Sequence, residues 1–346
     1  MGFLKNFGHE TISITEIVTL PSEGRKLMLP LSMKLLQAGD RSIFQMMKSC
    51  LGRIAISTTA LLVASCGDEE RPVEEGEREK ALVITAIPDE KVSDQEANYK
   101  ALQEYLAKEL DIEVKFSISS SYPAAVERFK NGEVHLAWFG GYTGVQARSA
   151  VPGARAIAQG DVDPKYKSYM IANKETGLTK SDEFPSGIKD LVFSFGSKSS
   201  TSGRLMPTYF TLKETGMMPD KFFTKPIQFQ TVGGHDATAR AVAGGSVDVG
   251  VLSYKKYDSM VAAGDIKAED APIIWVTPDY ADYNLTAHPA LEEIFGEGFI
   301  DRLQKVLVDC TNKDVLKAFN RDDLIPASNR EFEGIAEVAK ELGMMR

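Results

Sequence analysis

From residue 81 onwards, strand-like and helix-like segments alternate along the chain, and this alternation limits the folds that the chain can adopt. Residues 82–87 (LVITAI) have the composition of a buried strand, residues 102–110 carry a helical stripe of Leu and Tyr, and residues 112–118 alternate between apolar and polar side chains. Segments in this order predict an α/β fold with parallel sheets and right-handed crossover connections.

A weak internal repeat divides the α/β region into two halves. Residues 121–140 align without gaps on residues 234–253, and each copy runs through a loop, a short helix, a glycine turn and an apolar strand. The alignment places Tyr122 opposite His235. Because ligands bind at the carboxyl ends of strands in open α/β sheets, both residues are candidates for a ligand site between two similar lobes.

The order of the elements predicts which segments form each lobe. Residues 166–173 lead out of the first lobe and residues 273–280 lead back, so lobe 1 is expected to hold residues 81–170 and 279–346, and lobe 2 residues 171–278. Four helical stretches follow residue 288, at 289–295, 299–308, 313–319 and 332–342. Two crossings between lobes predict a hinged cleft that closes on a small ligand.

A hydroxyl-rich turn stands between a strand and a helix in the second lobe. Residues 197–203 (SKSSTSG) follow the apolar run 191–195 and precede the helix-like run 204–215. Free N–H groups and the dipole at a helix start favour anions, and hydroxyl donors add to them at Ser200, Thr201 and Ser202. The pattern is not a P-loop, and hydroxyls also serve as ordinary helix caps. The turn therefore predicts an oxyanion site only together with the rest of the chain.

An export signal precedes the α/β region. Residues 46–53 are basic, residues 54–64 (IAISTTALLVA) are apolar, and residues 63–66 (VASC) end this run with small residues and a cysteine. This arrangement predicts a lipoprotein signal peptide at residues 46–65. Cys66 would then carry the lipid, and the mature protein would lie in the periplasm or at the cell surface, anchored to a membrane.

The segments on either side of the signal differ from the α/β region. Residues 66–80 are charged and poor in apolar side chains, which predicts a disordered tether. Residues 1–45 show no periodic pattern, and we interpret them as an upstream extension of the translation start.

Composition excludes several classes of function. The chain has 40 basic and 49 acidic residues, and residues 1–65 hold seven and four of them, so the remainder has a net charge of −12. Such an acidic body argues against nucleic acid as a partner. The four histidines show no metal-ligand spacing, and Cys310 is the only cysteine beyond Cys66. Neither a metal, a cofactor nor a disulfide is predicted.

Four motifs resemble, in their order along the chain, the substrate-binding proteins of ABC importers for phosphonate, phosphite and phosphate-like oxyanions. They are residues 121–143 (SYPAAVERFKNGEVHLAWFGGYT), 197–207 (SKSSTSGRLMP), 233–250 (GGHDATARAVAGGSVDVG) and 275–284 (WVTPDYADYN). In detail, FGGYT and TPDYADYN look most similar to the branch presumed to serve selenate. The resemblance implies a type II periplasmic-binding-protein fold, a small oxyanion ligand, and permease and ATPase partners in the membrane.

The resemblance also implies roles for particular residues. The ligand-binding tyrosines of the family fall on Tyr122 and Tyr166, and its histidine falls on His235. Its anion-binding Ser-Thr-Ser falls on Ser200, Thr201 and Ser202.

One departure from the family bears on the ligand. Members that bind aminoethylphosphonate have an acid where this chain has Lys255, and their second acid aligns with Asp282 or with Tyr283, depending on one gap. The loss of the first acid favours a simple oxyanion over an aminoalkyl ligand.

Other residues near the repeat strands have more ordinary interpretations. Tyr142 and Tyr254 follow the two strands and are expected to line the cleft. Trp138 and Phe139 lie within an apolar strand and are expected in the core. Asp248 is a polar residue that could be taken for a site residue. Its position at the start of a strand instead predicts that its side chain caps a neighbouring backbone.

The sequence therefore predicts a monomeric substrate-binding lipoprotein that captures an oxyanion without catalysis. An alternative is a periplasmic hydrolase, with Ser200 or Ser202 as the nucleophile and His235 as the base, although the chain has no GxSxG elbow. A third possibility is a sensor subunit that reports the bound ligand to a membrane partner.

Overall fold

The structure, a computed structural model, describes residues 14–19, 26–31 and 80–345, apart from 90, 231 and 233. The predicted signal peptide, Cys66 and nearly all of the predicted tether lie outside the described residues. None of the helices in the described part of the chain is both long and apolar enough to cross a membrane.

Two strands near the N-terminus form an antiparallel pair. Strands β1 (Ile14–Thr19) and β2 (Lys26–Leu31) pair from Ile14 with Leu31 to Thr19 with Lys26. The sequence pattern gave no indication of these strands.

The α/β region contains the remaining strands and all the described helices. The strands are β3 (Ala81–Ala86), β4 (Glu113–Phe116), β5 (Leu136–Phe139), β6 (Arg155–Gly160), β7 (Ser168–Ala172), β8 (Phe193–Phe195), β9 (Gln228–Phe229), β10 (Val249–Ser253), β11 (Ile273–Val276), β12 (Asn284–Ala287) and β13 (Leu324–Pro326). The α-helices are α1 (Val92–Leu110), α2 (Tyr122–Lys130), α3 (Gly141–Ala150), α4 (Met206–Thr215), α5 (Pro219–Phe222), α6 (Gly234–Ala243), α7 (Tyr254–Ala262), α8 (Ala290–Phe295), α9 (Phe299–Val308), α10 (Lys313–Leu316) and α11 (Glu333–Glu341). All four helical stretches expected after residue 288 are present.

The strands form two separate mixed sheets. The first has the order β13-β6-β12-β5-β3-β4 and the second the order β11-β7-β10-β8-β9. Strands β4, β3 and β5 are parallel, as are β9, β8 and β10, which confirms the predicted parallel units. The strands β12 and β7 run antiparallel to their neighbours, which the alternation of elements did not predict. Each of these two strands follows a crossing from the other lobe, so the chain enters that sheet from the opposite end.

The two crossings lie side by side. Tyr166 and Tyr280 form an antiparallel bridge between the outgoing and the returning segment, and β11 then pairs with β7. Strand β7 belongs wholly to the second sheet, although the sequence-based boundary at residue 170 divides it. The two connections therefore run through residues 161–167 and 277–283.

The internal repeat is visible in the structure as two equivalent strand pairs. Asp248 Oδ2 accepts a hydrogen bond from Val192 N at 2.7 Å, which confirms its predicted role as a cap. At the equivalent position of the first lobe, His135 Nδ1 accepts from Val83 N at 3.2 Å. Each residue thus ties the start of its own strand to the neighbouring parallel strand.

Candidate ligand-binding site

The hydroxyl-rich turn begins a helix, but its first turn is wider than an α-turn. Residues Thr201–Leu205 form a π-turn, in which Leu205 N donates to Ser200 O at 3.0 Å, and α4 continues from Met206. Ser200 caps this start, because its Oγ accepts from Gly203 N at 2.9 Å. The N–H groups of Thr201 and Ser202 precede the first backbone hydrogen bond of the helix, so they remain available as donors. Wide turns of this kind occur often at functional sites.

The turn reaches across the cleft to the other lobe. Thr201 Oγ1 accepts a hydrogen bond from Tyr142 N at 3.0 Å. Beside it, a Cβ added to Gly140 would lie 3.0 Å from Thr201 Oγ1 and 3.2 Å from Asp282 Oδ1. An approach this close favours glycine in the loop after β5. The hydrogen bond from Tyr142 N to Thr201 Oγ1 joins the two lobes at the site.

Tyr122 approaches the turn from the start of α2 in the first lobe. Its side chain is buried, and its hydroxyl lies within hydrogen-bonding reach of Ser200. Burial, with the nearby Asp89 and Asp282 carboxylates, holds the pKa of Tyr122 well above its ordinary value. The hydroxyl therefore stays protonated at neutral pH and can donate.

His235 lies at the start of α6, the position that corresponds in the repeat to Tyr122 at the start of α2. Ser253 N donates to His235 Nδ1 at 3.4 Å, and because a backbone N–H only donates, Nδ1 carries no proton. Burial, with the nearby Lys256 ammonium, lowers the pKa of His235 to about 3, so the ring is neutral and its proton lies on Nε2. Nε2 lies 3.5 Å from Ser202 Oγ and 3.3 Å from Tyr283 OH. His235 thus presents an N–H donor to the cluster.

Tyr166 lies at the first crossing, between the lobes. Its hydroxyl makes a short hydrogen bond with Ser253 Oγ, and its side chain is buried. The ring of Tyr254 packs against it edge to face, with 4.8 Å between ring centroids. Tyr254 therefore contacts the cluster through the ring of Tyr166.

Tyr142 contributes its backbone to the site. Its hydroxyl donates to Met344 O at 2.6 Å, so the side chain is held within the first lobe, while its amide reaches Thr201. Of the predicted residues, the structure brings six buried side chains together in one cluster: Tyr122, Tyr166, Ser200, Thr201, Ser202 and His235.

Asp282 is a buried acid that sequence reasoning left as one of two alternatives. Its Oδ1 accepts from Gly141 N at 2.8 Å, and it lies next to Thr201. Its Oδ2 is buried without a hydrogen-bond partner among the described residues. Burial raises the pKa of Asp282 to about 7, although the bonds from Gly141 and Thr201 oppose the shift. The carboxyl group can therefore gain or lose a proton near neutral pH.

Tyr280 is a site residue that the sequence did not single out, although it lies within the WVTPDYADYN motif. Its hydroxyl lies 2.6 Å from Ser168 Oγ and within hydrogen-bonding reach of Ser202. Ser168 Oγ in turn donates to Ser202 O at 2.7 Å, so these two residues fix the hydroxyl-rich turn against the crossing.

A buried ion pair supports the cluster from the first lobe. Arg321 donates to both oxygens of Asp163, at 2.5 and 3.0 Å, and Asp163 also accepts from Gly160 N at 2.7 Å. The guanidinium carbon lies between 5.0 and 5.6 Å from three ring centroids, those of Trp138, Tyr166 and Tyr283. No sequence motif marked Asp163 or Arg321.

A small cavity lies next to these rings. Its volume is about 20 Å³, enough for roughly one water-sized group. Trp138, expected in the core, is buried but also lines this cavity, whereas Phe139 is fully buried in the core. The other lining residues include Tyr166, Tyr283, Arg321, Lys255 and Lys256.

The site consists of hydroxyl, amide and imidazole groups with one carboxyl group. Within the described ranges, no group of three or more His, Cys, Asp or Glu residues could hold a metal ion. The arrangement can therefore donate hydrogen bonds from both lobes to one small enclosed anion.

Two mixed α/β sheets joined by two crossings, with donors from both lobes meeting between them, define a type II periplasmic binding protein. The chain belongs to the family of ABC transporter phosphonate periplasmic substrate-binding proteins, whose family model matches residues 84–332.

Individual relatives agree with this family. The probable ABC transporter phosphite binding protein PhnD1 of Prochlorococcus marinus (strain MIT 9301) is 35% identical over 274 residues, which cover 77% of this chain and 91% of the relative. A structure of PhnD1 from this organism in complex with methylphosphonate matches 76% of this chain and 98% of its own, with a TM-score of 0.71. The phosphate-import protein PhnD of Mycolicibacterium smegmatis is 28% identical and covers 84% of this chain and 95% of the relative.

Proposed function

We propose that the protein is the substrate-binding lipoprotein of an ABC importer and that it captures a small tetrahedral phosphorus oxyanion such as phosphite, phosphate or methylphosphonate. The observation that carries this proposal is the enclosed set of neutral donors together with one acceptor, Asp282. The cleft closes on the anion, and the closed form delivers it to a permease.

The donors suit an anion without requiring a positive charge. Hydroxyl groups come from Tyr122 and Ser200–Ser202, His235 contributes Nε2–H, and the helix start adds backbone N–H groups. Hydrogen bonds to a charged partner are stronger than neutral ones, and a helix N-terminus favours negative charge. This accounts for an anion site in an acidic protein, because local dipoles act where net charge does not.

The carboxyl group of Asp282 favours an oxyanion that carries a proton. A protonated phosphite, phosphate or methylphosphonate can donate its O–H to Oδ2, which is buried without a partner among the described residues. Selenate and sulfate have no proton near neutral pH, so each would place a full negative charge beside the acid. On this argument a phosphorus oxyanion is preferred over selenate, which the motif similarity had favoured.

The volume and the charged lining of the small cavity limit the size and the charge of the substituent on phosphorus. A cavity of about 20 Å³ accommodates one small group, and its charged lining residues are Lys255, Lys256, Lys317 and Arg321 with one acid, Asp89. An ammonium group would meet mostly like charges there, so an aminoalkyl phosphonate is disfavoured.

The geometry of His235 argues for binding over hydrolysis. A serine nucleophile needs an imidazole nitrogen that accepts its proton and a third group that orients the ring. Here Nδ1 accepts from Ser253 N, and the nitrogen near Ser202 carries the ring proton. We therefore propose that the site binds its ligand without activating a nucleophile.

The relatives support the same ligand class. Their names refer to phosphite and phosphate import, and one structure holds methylphosphonate. Anchoring through Cys66, action as a monomer, and service to a permease rather than to a sensor are parts of the proposal that follow from the signal motif and the family.

Calorimetric titration of the purified protein with phosphite, phosphate, methylphosphonate, selenate and sulfate tests the proposal. The expected result is tight binding of at least one phosphorus oxyanion and much weaker binding of selenate and sulfate. Binding of selenate alone would overturn the ligand class. Labelling of Ser200 or Ser202 by a fluorophosphonate would support the hydrolase instead.

A further inference from the structure

Lysine side chains surround the outer end of the cleft. A groove of about 420 Å³ opens here, and its basic lining residues are Lys255, Lys256, Lys313, Lys317 and Arg321. Asp322 is the one acid that lines this groove, and the other lining residues are Asn98, Ser259 and Asn320. We call the four lysines the cationic mouth.

The cationic mouth is formed by both lobes. Lys255 and Lys256 lie on α7 of the second lobe, whereas Lys313 and Lys317 belong to the C-terminal part of the first. Asn320 Nδ2 donates to Lys255 O at 3.4 Å and so joins the two sides. Closure therefore brings positively charged side chains from opposite lobes to one opening.

The groove adjoins the small inner cavity of the binding site. Five residues line both the groove and the small inner cavity: Lys255, Lys256, Lys317, Asn320 and Arg321. The inner cavity in turn reaches Trp138, Tyr166 and Tyr283. The lysines therefore separate the groove from the cavity beside the oxyanion donors and line both.

The charge of the cationic mouth contrasts with that of the protein. Residues 66–346 carry a net charge of −12, which repels an approaching anion. Lys317 pairs with Asp314 at 2.6 Å and Lys256 with Asp236 at 3.7 Å, but Lys255 and Lys313 add further positive charge at the same opening. A cleft lined mostly by one sign of charge between protein walls focuses the field and speeds association.

We propose that the cationic mouth is a capture surface for the anionic ligand, which gathers the oxyanion from solvent and sets its rate of entry. This inference rests on the proposed function, because the captured ligand is the same oxyanion. The surface acts on association, since none of the four lysines is one of the enclosed hydroxyl donors, although Lys255, Lys256 and Lys317 also line the inner cavity.

A double substitution tests the capture surface. Lys313→Gln with Lys317→Gln removes two charges from the mouth. The matched control is Lys108→Gln with Lys305→Gln, which removes two exposed lysines of the first lobe that do not line the groove. Association and dissociation rates of phosphite and methylphosphonate are measured by stopped-flow at low and high salt.

The expected result is an association rate about three- to tenfold lower for the mouth variant at low salt, with an unchanged dissociation rate. The difference should vanish at high salt, where exposed charges are screened. Equal association rates in the mouth variant and the control would overturn the inference, as would a change confined to the dissociation rate. If the unmodified protein binds none of the anions at equilibrium, the proposed function itself fails; if it binds them and only the rates disagree, the capture surface alone is wrong.

Discussion

The backbone N–H of Tyr142 donates to Thr201 Oγ1 at 3.0 Å, across the cleft between the two lobes. The same hydroxyl lies beside the buried acid Asp282. One side chain therefore joins the two lobes and, on the proposed function, also contacts the ligand.

Thr201→Ala removes this hydroxyl, and we expect it to weaken oxyanion binding. A lost hydrogen bond to a charged partner costs about 1.5–3 kcal/mol, which corresponds to a rise in Kd of about 10- to 150-fold. Calorimetry measures the affinity, and Thr201→Ser, which keeps the hydroxyl, is the control. If affinity and Tm are both unchanged, Thr201 has no role in ligand binding and serves only as part of the helix start.

Asp282→Asn removes the buried charge while keeping the size of the side chain. Burial raises the pKa of Asp282 to about 7. Below this pH the acid and the bound anion share a proton, and above it both are ionised and repel each other. Affinity of the unmodified protein for phosphite should therefore fall as pH rises from about 6 to about 8. In the variant this fall should be smaller, and selenate should bind better than it binds the unmodified protein.

Unfolding measurements give a second readout for Asp282. Its folded-state pKa lies above the value of about 3.9 for an exposed Asp, so the folded form holds the proton more tightly than the unfolded form. Stability from this group is present at low pH and is lost as pH rises towards about 7. The Tm of the ligand-free variant should exceed that of the unmodified protein at about pH 8 and approach it at about pH 5. Parallel pH profiles of Tm and affinity in the two proteins would contradict this role.

Lys255→Glu places an acid where amine-binding relatives of this family have one, so it should change the order of ligands. For the unmodified protein we expect a bare oxyanion to bind more tightly than methylphosphonate, and methylphosphonate more tightly than aminoethylphosphonate. In the variant, aminoethylphosphonate should gain and the bare oxyanion should lose affinity, because the charge beside the cavity is reversed. Competition titrations measure the order. Tight binding of aminoethylphosphonate by the unmodified protein would contradict the assignment.

Gly234→Ala should hinder closure of the cleft. Gly234 begins α6 at φ +56°, and an added Cβ would lie 2.4 Å from the carbonyl carbon of Asp89 in the opposite lobe. Gly216→Ala is the matched control, because Gly216 has a similar φ of +69° but nothing within 4 Å of an added Cβ. Both variants should lose a similar amount of stability through backbone strain, whereas only Gly234→Ala should lose about tenfold or more in affinity. Equal affinities would show that this contact does not control closure.

Cys66→Ser should release the protein from the membrane. The substitution removes the thiol that the signal motif marks for lipidation, and stable anchoring needs more than one acyl chain on such a residue. Fractionation of cells that produce the two forms measures this effect, and a soluble periplasmic protein serves as the reference. A substituted protein that remains in the membrane pellet would contradict the lipoprotein assignment.

The parts of the fold that local sequence determines were predictable. Apolar periodicity located the strands and helices, and the repeat correctly paired the starts of α2 and α6, where Tyr122 and His235 lie. Asp248 was also predictable as a cap, because its distance from the following strand is fixed by the chain itself.

The remainder depends on contacts between distant residues, which no local pattern reports. Arg321 pairs with Asp163 from 158 positions away, and this pair shapes the wall of the site. The reversed directions of β7 and β12 follow from the route of the chain between lobes and not from their composition. The side chain of Tyr142 was expected near the cleft, but Met344, which lies 202 positions further along, holds its hydroxyl.

The bond from Tyr142 to Met344 also has a consequence for the synthesis of the protein. The first lobe is built from both ends of the α/β region, since β3 begins at Ala81 and α11 ends at Glu341. A chain that emerges from the ribosome N-terminus first cannot complete this lobe until residues 333–344 have been made. The candidate site draws Asp163 and Arg321 from segments 158 positions apart, so it too forms only after both segments have left the ribosome.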